Sequence, residues 1–279
     1  MQASLNTDEA AAHQAPMLLR MDNTLAAFGH QPLLSYPVQM WRYALDCARG
    51  EVAPVAGGEI NALPYVPDPV VGLLPAASPL AVLDVGCLGG YGLFDFARRH
   101  QVVPLDLAGI DIDRASIELA HSMGEVWASD DGLNSVARLA FHEAPSTSLP
   151  LPDNSCHLVI ARLMLPYVDV PATLREFHRV ATAGAILLVQ THAPGYYLRQ
   201  LVRHVRQPLR LAYYSRPILS GLIFRLTGRQ PRHRRWQEVA IGNRHMVNVA
   251  MHAGFPVVWT DTETHRGRPR FAFRKDMST

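Results

Sequence analysis

The feature that most constrains this chain is a glycine-rich break between two apolar segments, at residues 82–92. The first segment ends at Asp84 and Val85, four glycines fall within the next seven positions, and residues 93–99 resume with helical spacing. Glycine lets a loop adopt positive φ angles and keeps its backbone amides open to a ligand. The pattern predicts a strand, a tight loop and a helix, and the loop either cradles a ligand or merely turns the chain.

A second apolar segment, residues 108–113, also ends in acidic side chains. Asp111 lies 21 residues after Gly90, and a carboxylate about 20 residues beyond a glycine-rich turn is placed to meet ribose hydroxyls in a βαβ nucleotide site. Strands that alternate with helices of this length also indicate a parallel sheet covered on both faces. The sequence therefore predicts a nucleotide-containing ligand at the ends of two neighbouring strands.

The glycine-rich stretch resembles motif I of the class I S-adenosylmethionine-dependent methyltransferases, in which a hydrophobic strand precedes Asp/Glu-x-Gly-x-Gly-x-Gly. Residues 149–160, 174–180 and 184–189 are similar, in order and spacing, to segments of the type 11 methyltransferase family. The resemblance covers about residues 75–194. It implies an α/β fold with a Rossmann-like, seven-stranded, mostly parallel sheet sandwiched by helices, an N-terminal helical cap and a helical lid insertion. It also implies S-adenosyl-L-methionine as the cofactor and methyl transfer as the activity.

The resemblance assigns most of the cofactor site to the loop and to two strand ends. Gly86 and Gly90 would let the loop approach the methionine part of the cofactor, and Asp84 would hold its amino group. Asp111 would accept hydrogen bonds from the ribose hydroxyls, and Ile112 would pack on the adenine. The expected cofactor-binding residues further include Cys87, Glu143, Ser146 and Arg162.

The chain departs from the family pattern at three places. Leu88 stands where the family has its central glycine, and we expect Gly89 to take over the turn. His157 replaces the customary Asp at the fourth strand. The acid that contacts adenine after the third strand is missing, and Glu143 or the hydroxyl of Ser146 is the expected substitute.

Two side chains that follow predicted strands are the catalytic candidates. His192 follows the fifth strand and Tyr167 follows the fourth, at the edge where an open α/β sheet presents its ligand contacts. A histidine with a pKa of about 6.5 accepts a proton near neutral pH, although one of thirteen histidines can also lie there by chance. Methyl transfer from a sulfonium depends mainly on alignment in a dry pocket, so the absence of a clear acid–base pair does not exclude an enzyme.

Composition divides the chain into a helical cap and linker at 1–70 and a methyltransferase core at 71–279, with a basic helical insertion at 195–240. Ten arginines and no Asp or Glu lie between residues 199 and 235, interleaved with apolar residues at helical spacing. We favour a lid over a hydrophobic acceptor, then a solvated face, then docking on an anionic membrane. We expect no nucleic-acid binding, because no recognised module accompanies the arginines.

The predicted cap carries aromatic side chains that suit either packing or a ligand wall. Residues 17–49 have helical spacing, interrupted at 33–37. Tyr36, Trp41 and Tyr43 would line the cofactor and acceptor site if the cap folds over it, or would pack the cap onto the core. The sequence favours the second role at least as much as the first.

Cysteine spacing, net charge and hydropathy limit which other classes of protein the chain can belong to. The three cysteines are widely spaced and fit neither a disulfide framework nor a metal site, and Cys87 is as well explained by a small residue that fits the loop. The Asp130–Asp131 pair suits a solvated turn, so we predict no metal. A net charge of +2, no signal-peptide layout and no membrane-spanning apolar stretch predict a soluble cytoplasmic protein. Its partner would be a small-molecule acceptor, hydrophobic or anionic, in natural-product biosynthesis, and its oligomeric state stays open.

Two other functions fit parts of the sequence. A catalytically silent protein that binds S-adenosylmethionine on the same fold would explain Leu88 and the missing adenine acid. A nicotinamide enzyme with a Rossmann site is a third possibility. Asp84 directly before the loop and the segment 149–155 argue against the nicotinamide enzyme.

Overall fold

The structure is a computed structural model that describes residues 7–51, 64–100, 103–128, 135–231, 238–262 and 267–277. Its helices are α1 (Thr7–Phe28), α2 (Ser35–Arg49), α3 (Asp68–Val71), α4 (Tyr91–Arg99), α5 (Arg114–Trp127), α6 (Val170–Val180), α7 (Pro194–Arg203), α8 (Pro208–Thr227) and α9 (Asn243–His252). Its strands are β1 (Leu80–Val85), β2 (Leu105–Asp111), β3 (Val136–Glu143), β4 (Cys156–Arg162), β5 (Ala181–Gln190), β6 (Val257–Asp261) and β7 (Arg270–Arg274).

The strands form one seven-stranded sheet in the order β3-β2-β1-β4-β5-β7-β6. β1 pairs with β2, β2 with β3, and β4 with β5, each in parallel. β7 runs antiparallel to both β5 and β6. The predicted seven-stranded, mostly parallel sheet with an antiparallel last strand is therefore confirmed.

The chain divides into two compact units. The first comprises residues 1–55, 60–67 and 76–145, and the second comprises 56–59, 68–75 and 146–279. The first unit contains β1 to β3 with α1, α2, α4 and α5, and the second contains the remaining elements. The expected cap at 1–70 and lid at 195–240 stay predictions.

Large aromatic side chains fill the core of the first unit. Phe94 of α4 lies between Trp41 of α2 and Trp127 of α5, with ring centroids 5.4 and 5.8 Å apart. All three side chains are buried, as is Leu83 of β1. α5 continues through Trp127, as the sequence pattern allowed, and Trp127 belongs to this core. α1 starts earlier than expected, at Thr7 rather than about residue 17.

In the second unit, the chain's only lysine, Lys275, forms hydrogen bonds around the beginning of β5. Lys275 is buried, and its Nζ donates to Asn154 Oδ1 and to the carbonyl oxygens of His178 and Ala181, at 2.9 to 3.0 Å. β5 begins at Ala181, four residues before Ala185, where the sequence pattern predicts the start of the fifth strand. Gly184, at φ +74°, lies inside β5, where the register with β4 is irregular.

Candidate functional site

The loop between β1 and α4 is held by its backbone in a shape that glycine permits. Gly86 and Gly90 have φ angles of +76° and +82°. The amides of Gly86 and Cys87 donate to the carbonyl oxygen of Ile110 at 2.7 and 3.1 Å, which fixes the loop to β2. A Cβ at Gly90 would lie 2.8 Å from the ring of Phe141. A glycine is thus required at position 90 both by the positive φ angle and by the contact with Phe141.

Leu88 adopts the left-handed conformation in place of the missing glycine. Its φ is +50°, a region that costs a non-glycine residue about 1–2 kcal/mol. The expectation that Gly89 takes over this turn is wrong, because Gly89 has no positive φ. Gly89 is needed for close packing instead, since a Cβ there would lie 2.9 Å from Leu119 and from Trp41.

Asp111 joins the glycine loop to the end of β2. Its Oδ2 accepts a hydrogen bond from the amide of Leu88 at 2.9 Å, and its Oδ1 accepts one from the amide of Asp113 at 3.0 Å. The interaction with Asp111 accounts for part of the energy that holds Leu88 at its positive φ. The two strand ends that the sequence placed at one ligand are therefore in direct contact.

Asp84, Cys87 and Asp111 lie together at this edge. Asp84 is fully buried and accepts a hydrogen bond from the hydroxyl of Tyr65 at 3.2 Å. Burial, followed by the charges of Asp84 and Asp111, raises the pKa of the Cys87 thiol well above its usual value. Cys87 is therefore a neutral, buried side chain, which agrees with a residue that fits the loop and does not react.

Two further side chains support the loop: Trp41, which the sequence offered either as a site wall or as a packing residue, and Tyr65, which the sequence analysis did not single out. The indole Nε1 of Trp41 donates to the carbonyl oxygen of Gly89 at 2.6 Å, so Trp41 braces the loop. Tyr65 lies in the proline-rich segment interpreted as a linker, yet its ring is buried and its amide donates to Asp95 at 2.8 Å. The aromatic side chain within a connector rich in proline and glycine was the signal available.

Ile112 and Glu143 lie at the same end of the β2–β3 pair as Asp111. Glu143 is the register partner of Asp111, and the side chain of Ile112 is 73% exposed. Both are thus accessible to a ligand at this edge. Ser146 is buried in the second unit, where its hydroxyl shares a hydrogen bond of 2.9 Å with that of Thr173. Of the two candidates for the missing adenine acid, Glu143 has its carboxylate available.

In the second unit, His192 follows β5 and lies inside an aromatic cluster. Its ring stacks on Tyr196 at 4.4 Å and lies edge-on to Tyr197 at 5.8 Å and to Tyr167 at 6.5 Å. Only 7% of His192 is exposed. Burial, and then the charge of Arg268, lowers its pKa to about 3, so the imidazole is neutral near pH 7. We call His192, these three tyrosines and Glu238 the His192 cluster.

The hydrogen bonds of Tyr197 define which nitrogen of His192 carries the proton. Tyr197 donates to Glu238 Oε1 at 2.8 Å, and its oxygen lies 3.4 Å from His192 Nδ1. Since that hydroxyl proton is committed to Glu238, the oxygen accepts from an Nδ1–H, and Nε2 keeps its lone pair. Nε2 is buried and has no hydrogen-bond partner among the described residues. The cluster therefore presents an unused proton acceptor.

The surroundings of Tyr167 favour its protonated form. Burial, and then the charge of Glu238, raises its pKa well above the usual value, so the hydroxyl keeps its proton. It remains half exposed. Tyr167 is consequently suited to donate a hydrogen bond or to provide a ring surface.

Arg162 is used within the sheet. It is buried, and its Nε donates to the side-chain oxygen of Gln190 at 3.0 Å, where β4 and β5 are paired. The predicted contact of Arg162 with the cofactor stays a prediction.

A short extended segment fixes Glu238 beside the tyrosines. The amides of the next three residues donate in turn to Pro166, Pro217 and His192, at 2.8, 2.9 and 3.1 Å. Gly221 of α8 permits this approach, because a Cβ there would lie 2.2 Å from the carbonyl oxygen of Ala240. The backbone next to the Glu238 carboxylate is thus hydrogen-bonded to three other parts of the second unit.

Among the described residues, no group of three His, Cys, Asp or Glu side chains is arranged to hold a metal ion. Asp130 and Asp131 lie outside the described residues. The three cysteines are free and buried.

Comparison with known proteins identifies relatives over the part of the chain that carries the glycine loop. Residues 83–189 match the family model described as a methyltransferase domain. The uncharacterized methyltransferase YcgJ of Bacillus subtilis is 30% identical over 115 residues, which cover 40% of this chain and 41% of that protein. Malonyl-[acyl-carrier protein] O-methyltransferase 1 of Coxiella burnetii is 29% identical over 118 residues, covering 42% and 35%. The match spans less than half the length of either relative.

The likeness to a solved structure extends over more of the chain than the sequence matches do. A SAM-dependent methyltransferase from Methanosarcina mazei superposes with a TM-score of 0.54 and 16% identity, over 76% of this chain and 99% of that one. At this identity, the likeness concerns the arrangement of strands and helices.

Proposed function

From the premise that residues 83–189 are a class I methyltransferase domain, we propose that the chain transfers the methyl group of S-adenosylmethionine to a small-molecule acceptor. The observation that carries the proposal is the junction of the glycine loop with β2. The amide of Leu88 donates to the carboxylate of Asp111, next to a backbone that Gly86 and Gly90 keep free of side chains. This is a cradle for a nucleoside with a charged tail.

The residues of the first unit fit this cofactor. Asp84 is a buried carboxylate that suits the amino group, and Asp111 suits the ribose hydroxyls. The exposed side chain of Ile112 supplies an apolar surface for the adenine, and Glu143 supplies an acceptor for its amino group. When bound, the cofactor would supply an electrophilic methyl on a sulfonium.

We propose His192 as the proton acceptor for the acceptor's nucleophile, with Tyr197 and Glu238 as positioning residues. The buried Nε2 is neutral and holds a lone pair. A pKa near 3 makes His192 a weak base for a resting hydroxyl or amine. It is sufficient for a hydroxyl, because the oxygen of a hydroxyl becomes strongly acidic as it gains the methyl. His192 would therefore act during or after methyl transfer.

The acceptor class is proposed from the residues around the second unit's helices. Apolar side chains alternate with arginines from α7 to α8, which suits a hydrophobic metabolite that carries an anionic group. Secondary-metabolite biosynthesis is the context that we propose. The Coxiella relative is named for an acyl-carrier-protein substrate, and a thioester-linked acid belongs in the panel of acceptors.

Cofactor binding is tested with one variant and a matched control on the same strand. We expect Asp111→Asn to weaken S-adenosylmethionine binding by about 10- to 100-fold in isothermal titration, because charge-assisted hydrogen bonds are worth about 1.5–3 kcal/mol. Asp106→Asn alters a carboxylate of β2 that pairs with the exposed Arg138, and it should bind normally. Unchanged binding by Asp111→Asn contradicts the proposal.

Turnover separates an enzyme from a silent binding protein. Leu88 favours the silent alternative, since it strains the loop that holds the cofactor. Transfer of a labelled methyl from S-adenosylmethionine to any member of a panel of phenols, amines, carboxylic acids and thioesters supports the enzyme. Tight binding with no transfer across the panel favours the silent protein. Binding of nicotinamide dinucleotides instead would identify the third alternative.

A further inference from the structure

The outward side of α8 is apolar, as is the side that packs inward. Its buried residues are Pro217, Ser220, Gly221 and Phe224, whose spacing places them on one side of the helix. The side chains of Leu219, Leu222, Ile223 and Leu226 occupy the other side, and all four are exposed. A surface helix of a globular protein normally turns polar side chains outward.

α7, the turn after it and the first turn of α8 carry further exposed apolar side chains. α7 packs on α8, and Leu198, Val202, Val205 and Leu209 are exposed, with 78% exposure at Val202 and 87% at Leu209. We call these eight side chains the outer apolar surface. They are Leu198, Val202, Val205, Leu209, Leu219, Leu222, Ile223 and Leu226. Grouped exposed apolar residues of this kind mark an interaction site.

The charges of the two helices are all of one sign. Residues 194–231 contain seven arginines and no Asp or Glu. On α8, Arg216 precedes Leu219 by three residues and Arg225 follows Leu222 by three, so the guanidinium groups flank the apolar side chains. A merely solvated basic face would present the arginines and bury the leucines, which is not what α8 shows.

We propose that the α7–α8 pair docks on the surface of an anionic phospholipid bilayer. The outer apolar surface would enter the boundary between headgroups and acyl chains, and the arginines would bind lipid phosphates. Guanidinium groups suit phosphates because they donate two parallel hydrogen bonds, and long side chains can cover apolar surface while the charge stays in water. No helix of the described residues is long and apolar enough to cross a membrane, so the contact is peripheral.

Charge favours the bilayer over a second copy of the chain. A symmetric contact between two copies would bring one patch against itself, with the arginines that flank it, Arg216 and Arg225, facing the same cationic patch of the other copy. Like charges brought together in an interface oppose association. An anionic bilayer neutralises the same arginines. The proposal uses neither the cofactor nor His192, but it draws on the same two helices as the acceptor class proposed above. Vesicle binding is measured without methyl transfer, so either proposal can fail while the other holds.

Vesicle flotation with the full chain tests the proposal. We expect binding to phosphatidylcholine vesicles that contain about 30% phosphatidylglycerol, at least 10-fold weaker binding to pure phosphatidylcholine, and loss of binding as salt is raised. Replacing Leu222, Ile223 and Leu226 together by Ser should weaken binding to the anionic vesicles by at least 10-fold. Arg216→Gln with Arg225→Gln should weaken it several-fold and reduce the salt dependence.

The matched control removes exposed apolar side chains outside the pair. Leu19→Ser with Met251→Ser changes residues of α1 and α9 that are more than half exposed, and it should bind vesicles as wild type does. Circular dichroism should show every variant to be folded, because the replaced side chains are exposed except for that of Arg216, which is half-buried. Failure to bind anionic vesicles, equal binding to both compositions, or a triple serine variant that binds normally would overturn the proposal. So would a concentration-dependent dimer in sedimentation that the triple variant abolishes.

Discussion

The glycine loop of the first unit and the His192 cluster of the second are both partly buried, but different parts of the chain hold them in place. The loop is defined by backbone, through two glycines and Leu88 at positive φ and through amides that donate to Ile110 and Asp111. The cluster is defined by side chains, through ring contacts and the hydrogen bond from Tyr197 to Glu238. Backbone requirements restrict which residue types are possible, whereas ring packing accepts several. The loop should therefore be the less tolerant of substitution.

The largest effect is expected where the loop has both constraints at once. Gly90→Ala forces a side chain to φ +82° and places its Cβ 2.8 Å from Phe141, so we expect a loss of about 2–4 kcal/mol in the free energy of unfolding. S-adenosylhomocysteine binding should fall at least 10-fold. Chemical denaturation and calorimetric titration measure the two losses.

Gly50→Ala is the control for Gly90→Ala, because Gly50 has φ +77° but no neighbouring atom within 4 Å of the position that a Cβ would take. It should cost only about 1–2 kcal/mol, from the φ angle alone. If both variants lose the same free energy, contact with Phe141 contributes nothing, and the argument that the loop is doubly constrained fails.

A smaller effect is expected from the His192 cluster, and it depends on pH. His192 has a lowered pKa of about 3 in the folded chain and about 6.5 in the unfolded chain. Below pH 6.5 the unfolded chain binds a proton that the folded chain does not, so folding weakens as the pH falls. At about 1.4 kcal/mol per pH unit, wild type should lose about 2 kcal/mol more than His192→Gln between pH 6.5 and pH 5. Parallel stability curves for the two proteins would show that His192 titrates normally.

The smallest effect is expected at Leu88, the loop residue that has a positive φ without being a glycine. Leu88→Gly removes the strain of φ +50° but gives the unfolded chain more freedom, so we expect a net gain of at most about 1 kcal/mol. Leu163 is a matched control in the second unit, since it is also a leucine at positive φ, +60°. Leu163→Gly should give a similar gain in denaturation experiments. Only Leu88→Gly should alter cofactor affinity, and identical affinities would remove Leu88 from the cofactor site.

The contrast between a site defined by backbone and one defined by side chains also explains which features could be predicted from the sequence. The strand, loop and helix around Gly86 and Gly90 and the contact with Asp111 follow from local rules, because glycine positions and a fixed spacing encode them. The seven-stranded, mostly parallel sheet follows from the resemblance to a known family, whereas the strand order comes from the structure. The expectation for Gly89 was wrong because the packing of Trp41 and Leu119, distant in the chain, already requires a glycine there.

The rest depends on contacts between residues far apart in sequence. Tyr65 reaches Asp84 across 19 residues, and Tyr197 reaches Glu238 across 41. Neither pair lies on a common periodic pattern, so hydrophobic spacing gives no sign of it. His192 was placed correctly after β5, but its low pKa depends on the burial that Tyr196 and Tyr197 provide and on Arg268. Such an environment exists only in the folded second unit.

The buried position of Lys275 has a practical consequence. It is the only lysine of the chain, and its Nζ is held by three oxygen acceptors inside the second unit. Reagents that acylate amines therefore have no lysine to modify while that unit is intact. The rate at which Nζ becomes acylated would report how often the beginning of β5 opens, without any label having been introduced.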